Sequence, residues 1–183
     1  AALEKFIAQW ADHRISARAR AKLARQIQKA GDLVKAREIA KLGETAFPKT
    51  PGGVECYTIV QNIEAKSPAV NVERVWNSPA PEIHLQYKNI DKVYFGMVEY
   101  DWMKTVEGRN RNNYFNAKEV KKLLDLDPVS EWSSDLPKTD DYKVRTEKFA
   151  TPKNLKPGCY FVFASHDKDF KKTKNNVTAY TTC

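Results

Sequence analysis

Apolar residues in the first third of the chain recur with a helical period. Leu3, Phe6, Ile7 and Trp10 hold the i, i+3, i+4, i+7 spacing of one helix face. Ile15-Ser16 then offers a staple and an N-cap for a second helix reaching about Ala30. Gly31 is suited to the left-handed conformation that ends a helix, and Asp32 to capping the next. The third helix runs to about Ala46, with Ala36, Ile39, Ala40, Gly43 and Phe47 on its inner side. Thr50-Pro51 is a capping residue followed by proline at the first helical position. Cys56, Ile59, Val60 and Ile63 mark the inner face of the fourth helix.

After Ser67-Pro68 the period falls to two, the alternation of strands. Val70, Val72 and Val75-Trp76 predict one strand, a Pro-containing turn follows to Pro81, and Ile83, Leu85 and Tyr87 alternate in the next. Asn89-Ile90-Asp91 turns into a long strand with Tyr94, Gly96, Val98, Tyr100 and Trp102 on one side. Residues 103–113 read as a polar loop, and 116–124 as a short helix capped by Asn116, with Val120, Leu123 and Leu124 inward. Strand patterns resume near 128–136, 141–149, 158–166 and 175–182. About seven strands separated by turns is the count of an immunoglobulin-like sandwich. Pro157-Gly158-Cys159-Tyr160 delivers a tyrosine into the strand Phe161-Val162-Phe163-Ala164, as at the corner such sandwiches use. That strand is apolar on both faces and so belongs in the middle of its sheet. The expected architecture is α+β in two parts: antiparallel helical hairpins over residues 1–66, then an antiparallel β-sandwich with a short inserted helix over 67–183.

Composition is consistent with this picture. The chain has 183 residues, 42% of them hydrophobic and 30% charged, which excludes wholesale disorder and a fibrous fold. No apolar run approaches the roughly 20 residues that span a bilayer. Its opening Ala-Ala-Leu-Glu, without Met, predicts a mature or excised piece of a longer protein. Charge is uneven: of the net +8, residues 1–50 carry 11 basic and 5 acidic residues. Arg14, Arg18, Lys22, Arg25 and Lys29 fall within roughly 80° of arc on the second helix at about 100° per residue. This stripe is the one candidate interaction face. It suits an acidic partner or a plain solvated surface; it carries no aromatic residue for base stacking, so nucleic acid is not expected.

No pattern calls for catalysis or a cofactor. His166-Asp167-Lys168-Asp169, with Asn175 or Asn176 beyond, places carboxylates at i, i+2, but Lys171-Lys172 stand where a calcium loop needs an oxygen ligand and glycine. Asp125, Asp127, Asp135, Asp140 and Asp141 are not spaced to pair beside a nucleophile. His13, His84 and His166 fall on separate elements, and Cys56, Cys159 and Cys183 form neither a metal-ligand spacing nor an even disulfide set. Asn176-Val177-Thr178 is a formal glycosylation triplet. Trp76, Trp102 and Trp132 suit either core anchors or a sugar-stacking platform.

Two resemblances follow from quoted residues. Leu23-Ala24, Ile27, Gly31-Asp32, Ala36, Gly43 and Pro48 resemble one tetratricopeptide repeat over residues 17–50, with Arg20 where the repeat usually has an aromatic. The chain as a whole is similar to part of the bacterial alpha-2-macroglobulin family in its large multidomain form. That likeness rests on Ala46-Phe47-Pro48 through Cys56, leading to Ile63-Glu64-Ala65-Lys66. It continues in Tyr87-Lys88-Asn89-Ile90-Asp91-Lys92-Val93-Tyr94, in Pro157-Gly158-Cys159-Tyr160, and in Ala164-Ser165-His166-Asp167-Lys168-Asp169-Phe170. The resemblance implies a macroglobulin-type sandwich within a periplasmic or envelope-anchored inhibitor that entraps proteases. Its partners would be the other domains of the parent chain and, through the whole protein, proteases. Covalent members of that family use Cys-Gly-Glu-Gln, whose side chains close a thioester. Here Cys56 precedes Tyr57, Cys159 precedes Tyr160 and Cys183 ends the sequence, so this stretch forms none. A bait segment is not evident. The expected role is non-catalytic scaffold; the alternatives are an interaction adaptor using the basic helical face, and a surface-binding module using exposed aromatics.

Overall fold

A computed structural model describes residues 2–73, 75, 76, 80–101, 103, 117–170 and 178–182. Four helices open the chain: α1 (Ala2–Gln9), α2 (Ile15–Lys29), α3 (Leu33–Ala46) and α4 (Pro51–Glu64). Then come β1 (Ser67–Asn71), β2 (Ile83–Lys88), β3 (Lys92–Glu99), α5 (Ala117–Leu124), β4 (Ser130–Asp135), β5 (Arg145–Phe149), β6 (Tyr160–Ser165) and β7 (Thr178–Thr182). The fold is mixed α+β. Two compact units divide it: Ala1–Ala65 with Thr139–Lys143, and Lys66–Lys138 with Val144–Cys183.

In the helical unit the signals at the ends of α3 and α4 act as expected. Gly31 adopts φ +89°, the left-handed position that lets α2 stop within one residue. The Asp32 carboxylate accepts from the Lys35 N–H at 2.9 Å, and the Thr50 hydroxyl accepts from the Gly53 N–H at 3.1 Å. The start of α2 is different. Ser16 is not its N-cap; it lies inside the helix, buried, donating to the Ala11 carbonyl and accepting from Arg20. The tight turns before it lead straight into helical backbone at Arg14, and His13 Nδ1 accepts from the Ile15 N–H at 3.3 Å. A side chain on a neighbouring turn thus takes the place of the capping hydroxyl.

Small side chains line the contacts among α2, α3 and α4. Ala21, Ala24, Ala36, Ala40 and Cys56 form the buried cluster with Ile59, Val60 and Ile63. Such residues hold helix axes at the close end of the usual 8–10 Å. Gly52 shows the limit: a Cβ there would sit 2.5 Å from the Arg18 backbone nitrogen. Two short turns reverse the chain twice, so α4 runs alongside α2 in the same direction. Tyr142, from the segment 139–143, packs against this cluster, with the Arg37 guanidinium 5.8 Å from its ring centre.

The β unit holds two antiparallel sheets, of strand order β1-β2-β5 and β4-β3-β6-β7. Val70, Ile83, Leu85 and Tyr87 of the first meet Val93, Phe95, Met97, Val162 and Ala164 of the second in one buried cluster. Trp132 stacks on Phe95 with ring centres 5.0 Å apart, closing the β4 side. A second cluster lies on the other face of β3 and β6, where Val98, Tyr100, Phe161 and Phe163 are covered by Val120, Leu123 and Leu124 of α5. That cover is why β6 is buried at every position. β6 lies between β3 and β7. The first strand is shorter than its sequence pattern: pairing with β2 ends at Asn71, and Val75 is 72% exposed. The fifth begins at Arg145 rather than 141. Trp102, Asn116 and all of the 103–113 loop except Met103 lie outside the described residues.

Candidate functional site

The basic row is real as a surface. Arg18, Lys22, Arg25 and Lys29 project from α2 and Arg14 immediately precedes it, and all five are exposed. The buried side of α2 flanks the row: at about 100° per residue Ala17, Ala21 and Ala24 fall roughly 60–120° round from Arg18, where they fill the contact with α3 and α4.

On one bank of the row stands α4. Its Glu55 accepts from Arg25 at 2.8 Å and lies 4.0 Å from Arg18. These are solvent-exposed pairs, each worth about 0.2–1 kcal/mol. Glu64 pairs with Arg37, Glu44 with Lys41, and Asp32 caps α3. Among the described residues, no carboxylate lies within ion-pair distance of Arg14, Lys22 or Lys29. Beside Glu55 opens a groove of about 420 Å³ between the two helices, lined by Arg25, Gln28, Lys29, Thr58, Ile59 and Asn62. Ile59, 5% exposed, floors it with hydrocarbon; Gln28, Thr58 and Asn62 offer neutral donors and acceptors above.

The α2 half of this groove follows from the charge pattern alone. Its α4 half does not: Glu55, Thr58, Ile59 and Asn62 look like ordinary helix positions until α2 and α4 are set side by side. The signal that could have found them is the pair of short turns at Gly31-Asp32 and Pro48–Thr50, which return the chain to its starting direction.

The remaining candidates are dispersed. Among the described residues no group of three His, Cys, Asp or Glu is placed to hold a metal ion. Asp167 accepts from the Asp169 N–H at 3.0 Å and Asp141 from the Lys143 N–H at 3.1 Å, both local turns. Asp135 faces Lys92 at 3.6 Å. Asn175, Asn176 and Cys183 lie outside the described residues. Cys56 and Cys159 are free thiols. Cys56 is wholly buried and directed at the Ala17 carbonyl, 3.3 Å away, and burial together with nearby Glu55 pushes its thiol up to about 11. It is therefore protonated and shielded at neutral pH. Trp76 and Trp132, half-buried, pack on the β-unit core. A cleft of about 980 Å³ in that unit is walled by Val75, Trp76, Ala80–Glu82 and Ala150–Tyr160. Its polar atoms are spoken for in part: the Thr151 hydroxyl donates to the Pro81 carbonyl and the Tyr160 hydroxyl to the Lys156 carbonyl. The Trp76 indole N–H is buried there without a partner. This cleft carries charge of both signs, Glu82 with Lys153 and Lys156, whereas the charged residues of the α2–α4 groove, Arg25 and Lys29, are all cations.

No protein-family model matches the chain, and no curated protein or solved structure does. Among the described residues no helix is long and apolar enough to cross a membrane.

Proposed function

We propose that this chain is a non-catalytic structural module of a bacterial alpha-2-macroglobulin-like endopeptidase inhibitor. In this reading a tetratricopeptide-like helical unit precedes an immunoglobulin-like, macroglobulin-type β-sandwich, in a protein held in the periplasm or on the cell envelope. The observation that carries it is where the family-like stretches fall. Ala46 to Cys56 makes the turn and first helical turns into α4. Tyr87 to Tyr94 makes the turn that carries the chain from β2 in one sheet to β3 in the other, with Asn89 at φ 58° and Ile90 buried. Pro157 to Tyr160 makes the entry to β6, and Tyr160 bonds back to the Lys156 carbonyl at 2.6 Å. Each stretch builds framework, as scaffold residues must. The strand order supports the sandwich: β1-β2-β5 and β4-β3-β6-β7 correspond to strands A-B-E and C′-C-F-G of the immunoglobulin arrangement, and Tyr160 occupies the place of its tyrosine corner. Gly31 and the alanines between α2 and α3 support the repeat-like hairpin in the same way.

Two measurements on cells that make the protein test this. An antibody raised against this chain should detect, in the envelope or periplasmic fraction, one polypeptide far larger than 20.9 kDa. That polypeptide, purified and mixed with an endopeptidase, should abolish cleavage of large protein substrates while small peptide substrates are still hydrolysed. A band at the size of the chain itself, or equal inhibition toward large and small substrates, would refute the reading.

A further inference from the structure

We infer that the groove between α2 and α4 binds an extended acidic peptide segment of a partner protein, with Asp or Glu at alternate positions. This goes beyond the inhibitor reading and does not depend on it.

The first argument is spacing. Arg25 and Lys29 line the groove itself, and Arg18 and Lys22 continue the row beyond it. Arg18, Lys22, Arg25 and Lys29 follow each other by four, three and four residues. At about 1.5 Å of rise per residue, that places them about 6.0, 4.5 and 6.0 Å apart along the axis. An extended peptide presents every second side chain to the same face, about 6.6 Å apart. Carboxylates at alternate positions therefore track the cationic row, and the long stems of lysine and arginine take up a difference that reaches about 3 Å over its whole length.

Charge balance is the second argument. Of the row, Arg18 and Arg25 share a single carboxylate, Glu55, and among the described residues Lys22 and Lys29 have none within ion-pair distance. An incoming acidic segment meets cations whose charge this unit does not itself neutralise.

The third is the lining, which selects a peptide over a nucleic acid. The Gln28 side-chain amide combines donor and acceptor atoms, and the Thr58 hydroxyl, which donates to the Val54 carbonyl, keeps its acceptor side. A peptide backbone needs both, since each residue brings an N–H and a C=O. The phosphodiester backbone of a DNA strand brings acceptors only, a single strand stacks its bases on aromatic rings, and no residue lining this groove is aromatic.

The test uses the full chain and two fluorescein-labelled nonapeptides of one composition. In one, four Glu alternate with Ala; in the other the four Glu adjoin. Fluorescence anisotropy should show saturable binding of the alternating peptide, severalfold tighter than the blocked one and weakening as salt rises. Lys22→Glu/Lys29→Glu, two exposed changes whose folding circular dichroism checks, should weaken that binding about tenfold. The same double variant should gain affinity for a peptide with Lys in place of Glu. Four results would overturn the proposal: no saturation, equal affinity for the two peptides, unchanged binding by the charge-reversed variant, or displacement by oligothymidylate at lower concentration than by unlabelled peptide. The last would make the surface a phosphate-binding one.

Discussion

Cys56 shows how far one side chain can be understood from its surroundings. The thiol sits at the junction of α2, α3 and α4, where Gly43 leaves room for it and the Ala17 carbonyl faces it. Burial first, and the Glu55 carboxylate second, raise its pKa from the ordinary 9.0 to about 11. A raised folded-state value means the thiol is neutral in both states below about pH 9. Above that the unfolded chain ionises first, so this residue's contribution to stability is lost as pH climbs from about 9 to 11. Cys56→Ala should therefore be less stable than the native chain near pH 7, and the gap should narrow between pH 9 and 11. Urea unfolding of both proteins across that range measures it; a gap that stays constant would mean the thiol is not buried as described. Cys56 was legible in the sequence as an inner-face residue, because its partners Ile59, Val60 and Ile63 keep the helical period. Its closeness to α2 was not legible, since residues 17 and 56 are joined only by the turns between them.

At the level of elements, the chain announces its boundaries where a side chain completes the backbone locally. Asp32, Thr50-Pro51 and Gly31 are such positions, and each acts within four residues of itself. Asp32→Ala should accordingly cost about 1 kcal/mol by leaving the Lys35 N–H without its acceptor. Asp32→Asn should restore most of that, and thermal unfolding followed at 222 nm distinguishes them. Ser16 shows why the same logic misses at α2. Its hydroxyl suits a cap, but its position on the buried face draws it inward, to the Ala11 carbonyl and the Arg20 guanidinium. Strand ends behave alike: Val72 and Val75 continue the alternation of β1, yet the ladder stops at Asn71, because pairing depends on how far β2 extends. β3 reads as a one-sided strand in its alternation, whereas both its faces are buried, one by the three-stranded sheet and one by α5.

For the whole molecule the division into two units follows the change of hydrophobic period near residue 66, with one addition that no local pattern announces. Thr139–Lys143 stands between β4 and β5 in sequence but belongs to the helical unit. Tyr142 is its anchor, seated on the helical cluster beneath Arg37, with φ at 59°. Tyr142→Ala should speed amide hydrogen exchange in α3 and α4 while β3 and β6 keep their protection. Equal acceleration in both sets would show that the segment serves the β unit instead. The function proposed for the molecule has the same division of sources. The proposed scaffold role was argued from residues that build turns and cores, and the proposed acidic-peptide groove from a surface that only two adjacent helices create.

What the sequence by itself determined is whatever depends on neighbours within about one helical turn or one hairpin. That includes the helical first third, the alternating remainder, the caps of α3 and α4, the central place of β6, and the single basic face of α2. Periodicity and capping are short-range physics, and they are written in consecutive residues. The tertiary structure alone decided which helix lies beside that basic face, what partly neutralises it, and which strands share a sheet. It also decided that α5 buries the second face of β3 and β6, and that a loop between strands joins the helices. These features depend on side chains tens of residues apart removing each other from water. Many pairings satisfy the same local pattern, and only the packed chain selects one.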